Sequence, residues 1–151
     1  MKPILLPGAG SPVSSTVARA ARAVLCAGAV GVLVGGCGAP AARVDGARAA
    51  GERFERALAS GDHEAACRLL APETLGQLEQ DEKKACAEAM GTEDLPTAGA
   101  VRTTGVYGRQ AMLRLDGDTL FLSQFSGGWK VVAGGCTPQG EQPYQCLLKG
   151  G

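Results

Sequence analysis

The chain has 151 residues with 15 Lys+Arg against 15 Asp+Glu, so it is formally neutral, and only 4% of its residues are aromatic. That length holds one ordinary domain and a short extension. The neutral balance argues against a nucleic-acid binder, which clusters a basic excess on one face, and no apolar run approaches the roughly 18 residues that a spanning helix needs.

The first 37 residues do not read as fold. Lys2, Arg19 and Arg22 are the only charges before Arg43, and a run of small and apolar residues, Ala23 to Val34, follows Arg22. A positive segment, a short apolar segment and then small residues describe an export signal rather than a membrane span. Val34-Gly35-Gly36-Cys37 resembles the bacterial lipobox, with Val in place of its commonest Leu. The resemblance implies a lipid on the Cys37 thiol, cleavage between Gly36 and Cys37, and a lipid-anchored protein on the extracytoplasmic face of the cell membrane. It divides the chain into a signal peptide (1–36), a flexible tether (37–44) and a folded domain (45–151). Cleavage removes three of the 15 basic residues and none of the 15 acidic ones, leaving 12 against 15, a mature net charge near −3. Charge would not draw such a domain to an anionic surface, so anchoring rests on lipid.

Six cysteines become four once Cys26 leaves with the signal and Cys37 carries lipid. An even number in an exported domain reads as disulfides, and four cysteines allow three pairings. Cys136 and Cys146 flank a Pro138–Pro143 segment able to fold back on itself, and Cys67 and Cys86 fall in consecutive helical segments. The expected bridges are therefore Cys67–Cys86 and Cys136–Cys146, each worth about 3 kcal/mol in the chain-entropy model. The competing reading is a metal site, because His63 and Cys67 share a helical face. With one histidine and no C-x-x-C pair, no metal and no cofactor are expected.

The domain reads as helices first and strands second. Between Arg43 and Ser60, Ala47, Ala50, Phe54, Ala57 and Leu58 recur at helical spacing, with Glu52, Arg53, Glu55 and Arg56 on the other side. Gly61 suits the end of that helix and Asp62 the cap of a second, which buries Ala66, Cys67, Leu69 and Leu70. Pro72 opens a third segment with Leu75 and Leu78 inward, and Asp81 is expected to cap a fourth with Ala85, Cys86 and Ala89 inward. Beyond residue 100 the period becomes two. Strands are expected at 101–107, 111–115, 119–125 and 129–133, with Asp116-Gly117 and Gly127-Gly128 as turns and a short last strand near 144–148. Segregated helices and an antiparallel meander make the class α+β.

Phe54-Glu55-Arg56-Ala57-Leu58-Ala59-Ser60-Gly61-Asp62, then Ala66-Cys67-Arg68-Leu69-Leu70-Ala71-Pro72, resembles the opening of NTF2-like domains. Gly127-Gly128-Trp129-Lys130-Val131 is similar to their closing strands, and the chain as a whole resembles small actinobacterial lipoproteins. The resemblance implies helices packed on a curved antiparallel sheet, a cone that often encloses a pocket.

Such folds host enzymes and inert modules alike. His63 is the obvious acid–base candidate, but at a helix start it is expected to face water. Glu79, Asp81 and Glu82, beside Lys83 and Lys84, read as a charged helix face. Arg114 and Tyr107 are candidates to point into the cone, and Trp129 reads as core. No G-x-S-x-G nucleophile elbow occurs. The reading is a lipid-anchored, non-catalytic module that binds a small apolar ligand or an envelope protein. The alternatives are an accessory of an envelope complex and a ketosteroid-isomerase-like enzyme. Replacing Cys37 with Ser is expected to yield uncleaved or released protein; a variant that keeps the wild-type mature mass and still enters the detergent phase contradicts the lipobox assignment.

Overall fold

A computed structural model describes residues 39–150. The expected signal sequence, Gly36 and Cys37 lie outside these described residues. Four helices precede five strands: α1 (Ala41–Ala59), α2 (His63–Leu69), α3 (Pro72–Glu82), α4 (Cys86–Met90), β1 (Val101–Tyr107), β2 (Gln110–Leu115), β3 (Thr119–Phe125), β4 (Gly128–Gln139) and β5 (Gln142–Lys149). The strands form one open antiparallel sheet in the order β1-β2-β3-β4-β5, an α+β meander.

Helix α1 begins at Ala41, inside the stretch that sequence alone reads as tether. Alanines favour the helix, and Arg48 and Glu52, four apart, pair at 2.9 Å. Ala47, Ala50, Phe54 and Ala57 are buried against the sheet. A glycine at 51 lets the two layers approach closely. A Cβ there would stand 2.4 Å from Cδ2 of the buried Leu113. The helix ends as its residues dictate: Gly61 takes φ 70°, and the amides of Gly61 and Asp62 return to the carbonyls of Leu58 and Ala57. Asp62 then caps α2, its Oδ1 accepting from the Ala65 amide at 3.0 Å.

The expected cap of α4 needs correction. Asp81 lies within α3 and accepts only from Gln77 at 2.9 Å. Helix α3 runs on to Glu82 and stops at Lys83 in the left-handed region, φ 53°. The side chain that serves α4 is Glu79, whose Oε1 accepts from the Cys86 amide at 2.9 Å, seven residues away. A cap delivered from the preceding helix has no local spacing signature, whereas an Asp five residues ahead of Cys86 imitates one.

Strand β4 also exceeds its expected end at Ala133. Gly135 takes φ 64° within the strand, under the Leu147 side chain. The strand continues through Cys136 to Gln139 and returns as β5, with Cys136 directly opposite Cys146. A register shift against β3 leaves Val132 as an extra residue, and its carbonyl accepts from Thr74 Oγ1 at 3.0 Å and from the Gly150 amide at 3.2 Å. Just before it, the Val131 carbonyl accepts from the Ala71 amide at 2.8 Å. These bonds fasten α2, α3 and the chain end to one strand.

Disulfides join Cys67 to Cys86 and Cys136 to Cys146. The first ties α2 to α4; the second crosses the β4–β5 pair. The core is built from α1, the inward faces of β2, β3 and β4, and Met90, Leu148 and Trp129. Melting of the protein in detergent is expected to drop for Glu79→Ala and for Asp62→Ala by about 1 kcal/mol each, a few degrees for a domain this size. Asp81→Ala is expected to stay within about 0.5 kcal/mol of wild type; the opposite ranking of Glu79 and Asp81 contradicts the cap assignment.

Candidate functional site

Two carboxyl groups enter the interior from opposite layers. Glu55, in the second turn from the end of α1, is only 7% exposed, and Asp118, the last residue of the β2–β3 turn, is 8% exposed. Their surroundings differ in kind. Asp118 is fully served: Oδ1 accepts from the amides of Thr119 at 2.5 Å and Cys136 at 2.7 Å, and Oδ2 accepts from that of Gly135 at 3.1 Å. Both oxygens of Glu55 are buried with no hydrogen-bond partner. The Ala98 amide approaches the Glu55 carboxyl without reaching hydrogen-bond geometry.

The physical consequence is a carboxyl that resists ionisation. Burial is the larger cause and the nearby Asp118 charge the second; together they raise Glu55 from 4.5 to about 7, with the Ala98 amide opposing them. Burial also raises Asp118, against the three amides that favour its charged form. Near neutral pH, Glu55 therefore carries a proton for much of the time and can both donate and accept.

Glu55 lies along a groove of about 310 Å³ between α1 and the entry to β1. Ala59, Ala98, Ala100, Val101 and Leu115 give it apolar walls, and Arg48, Glu52 and Arg56 give it a charged rim. Arg48 is committed, to Glu52 and to the Val101 carbonyl at 3.2 Å. The far wall is held by Asp116, which takes a bidentate pair from Arg102 at 2.6 and 2.5 Å and exchanges backbone bonds with Gly99 and Ala100. That exposed pair lowers Asp116 and raises Arg102, mainly through their mutual hydrogen bonds.

The residues singled out from sequence do not meet at this groove. His63 is half-buried rather than water-facing, its ring against Gly91, where an added Cβ would stand 3.0 Å from Cε1 and Nδ1. Arg114 and Tyr107 are both exposed, Tyr107 to 70%. Trp129 is buried in the core. The acidic cluster disperses: Glu79 caps α4, Asp81 faces solvent, and Glu82 lies toward Glu93, which burial chiefly and then Glu82 and Asp81 raise above its ordinary value. Among the described residues no three His, Cys, Asp or Glu side chains gather as metal ligands, and no helix is long and apolar enough to cross a membrane.

Sequence reasoning set Glu55 on the solvent side of its helix. The signal was present but weak: Gly51, Glu55 and Leu58 lie four and three apart, so Glu55 flanks the apolar stripe rather than opposing it. No protein-family model, curated protein or solved structure matches the chain.

A carboxyl raised by burial makes the folded state lose stability as pH climbs from its unfolded value near 4.5 through about 7, because the unfolded chain releases that proton first. Urea unfolding from pH 5 to pH 8 is expected to show this decline, and Glu55→Gln is expected to be more stable than wild type at pH 8 by on the order of 2 kcal/mol. Asp118→Ala strands three amides and is expected to cost about 3 kcal/mol. A Glu55→Gln variant less stable than wild type at pH 8 contradicts the assignment of Glu55 as an unpartnered acid.

Proposed function

We propose that the chain is a lipid-anchored extracytoplasmic protein whose NTF2-like domain binds a small, apolar-bodied ligand without transforming it. The lipobox resemblance at Val34–Cys37 and the four paired cysteines support the compartment. The order of helices and strands, the antiparallel meander and the buried Trp129 support the NTF2-like reading.

One observation carries the binding role: an unpartnered, nine-tenths-buried carboxyl beside an apolar groove. Leaving a polar group unsatisfied costs on the order of 1–3 kcal/mol, so a ligand that supplies the missing bond recovers what the empty site forgoes. A protonated Glu55 offers an O–H to a carbonyl or hydroxyl oxygen, and the alanine and leucine walls accept an aliphatic or aromatic body. Titration of the protein with a panel of small ketones, alcohols and amides, followed by amide shifts at Ala98–Val101 and Leu115, tests this. Binding is expected to weaken as pH rises through about 7. Glu55→Ala is expected to lose affinity by roughly tenfold, the value of one hydrogen bond, while Glu55→Gln keeps the affinity and loses the pH dependence. A panel that perturbs no groove residue sinks the proposal.

The same carboxyl favours one second reading. A group titrating near 7 is suited to general acid–base work, as in a ketosteroid-isomerase-like enzyme. Such a site also needs a hydrogen-bond donor opposite the base, and Asp118 accepts three bonds rather than donating one. Conversion of a panel ketone to an isomer, lost in Glu55→Gln, moves the assignment to catalysis.

A further inference from the structure

Connectivity constrains how the domain stands on a membrane. Only residues 38–40 separate Cys37 from the start of α1, so a lipid on Cys37 holds the first residue of the helix within about 14 Å of the anchor, four extended residue steps. What lies next to that helix start is therefore next to the lipid.

Three segments are locked together there. The Arg43 guanidinium donates to the Gly108 carbonyl in the β1–β2 turn and to Gln124 Oε1 at 2.8 Å near the end of β3. Arg109 donates to the Gln124 carbonyl, and the Gln124 amide donates back to the Arg109 carbonyl at 2.8 Å. Trp129, just past the β3–β4 turn, lies 6.0 Å under the Arg43 guanidinium and packs on Gly46. The first turn of α1 and two hairpin turns thus form one rigid end. At this end Tyr107 is 70% exposed, its ring leaning back over Gly105, and Arg109 beside it is exposed too; Asp45 is the exposed acid on the same helix turn.

An aromatic ring with a polar edge beside a cation is what the headgroup layer accepts, and an arginine near an anionic surface adds about 1 kcal/mol. We propose that this end, with Tyr107 and Arg109 exposed on it, lies against the membrane that carries the lipid on Cys37. Glu55 is 14 residues farther along α1 than Ala41, about 21 Å at the helical rise, so the groove stands clear of the headgroups. The inference rests on the lipoprotein reading above.

The test uses the full chain, produced in a lipid-modifying bacterial host and placed in nanodiscs of zwitterionic and anionic phospholipid with a gadolinium-chelating headgroup lipid. Amide relaxation is expected to be strongest at Tyr107–Arg109 and weakest at Thr97–Gly99. Tyr107→Ser with Arg109→Ser is expected to roughly halve the enhancement at Gly108, because the single remaining anchor lets the domain tumble. A lipidated chain with equal enhancement at the two ends, or with the stronger at Thr97–Gly99, overturns the orientation and leaves the lipoprotein reading standing. A mature chain whose mass shows no lipid on Cys37 overturns both.

Discussion

The Asp118 carboxylate is the constraint on which the sheet and the groove both depend. It stands in the turn between β2 and β3 and gathers amides from its own turn and from β4 at the point where Gly135 bends that strand. A charge placed there is tolerated because three N–H groups replace the water it has lost. It fixes the β2–β3 hairpin relative to β4, the next strand in the sheet. Its charge also adds to burial, the larger cause, in holding the proton on Glu55. Two ionised carboxylates close together in an apolar interior repel strongly, and only one of the two has donors. The other keeps its proton. An acid that would be unremarkable on the outer face of α1 becomes the polar centre of the groove.

The groove and the Arg43–Trp129 end, proposed to face the membrane, occupy different parts of one helix. The first turn of α1 is tied to the β1–β2 and β3–β4 turns through Arg43, Gln124 and Trp129, while the later turns carry Arg48, Glu52, Glu55 and Arg56 along the groove. One helix thus spans both the end proposed to face the membrane and the groove proposed to bind.

Much of the fold was legible in the sequence. The 3.6-residue spacing of Ala47, Ala50 and Phe54, the Gly61-Asp62 stop and start, and the period-two runs after Val101 follow from local rules, and the elements fall where those rules put them. The misreadings share one cause, partners distant in the chain. Glu79 caps a helix seven residues on, and Gly134-Gly135 continues a strand because β5 returns to pair with it. The site was less legible than the fold. Glu55 follows Phe54 in a helix rich in charge, and only its place at the flank of the apolar stripe sets it apart from Glu52. The Ala98–Val101 segment that lines the groove with it, and the Asp118 charge that acts on it, lie more than forty residues away in the sequence. His63 and the acidic run drew notice by residue type, and type alone does not place a side chain.

Carboxyl-carbon NMR of the intact protein, following Glu55 and Asp118 from pH 3 to pH 9, measures the central claim directly. Glu55 is predicted to titrate with a midpoint near 7. A Glu55 midpoint near the ordinary 4.5 would mean that the carboxyl is solvated or partnered, and the account of the groove as a site built around a retained proton would be wrong.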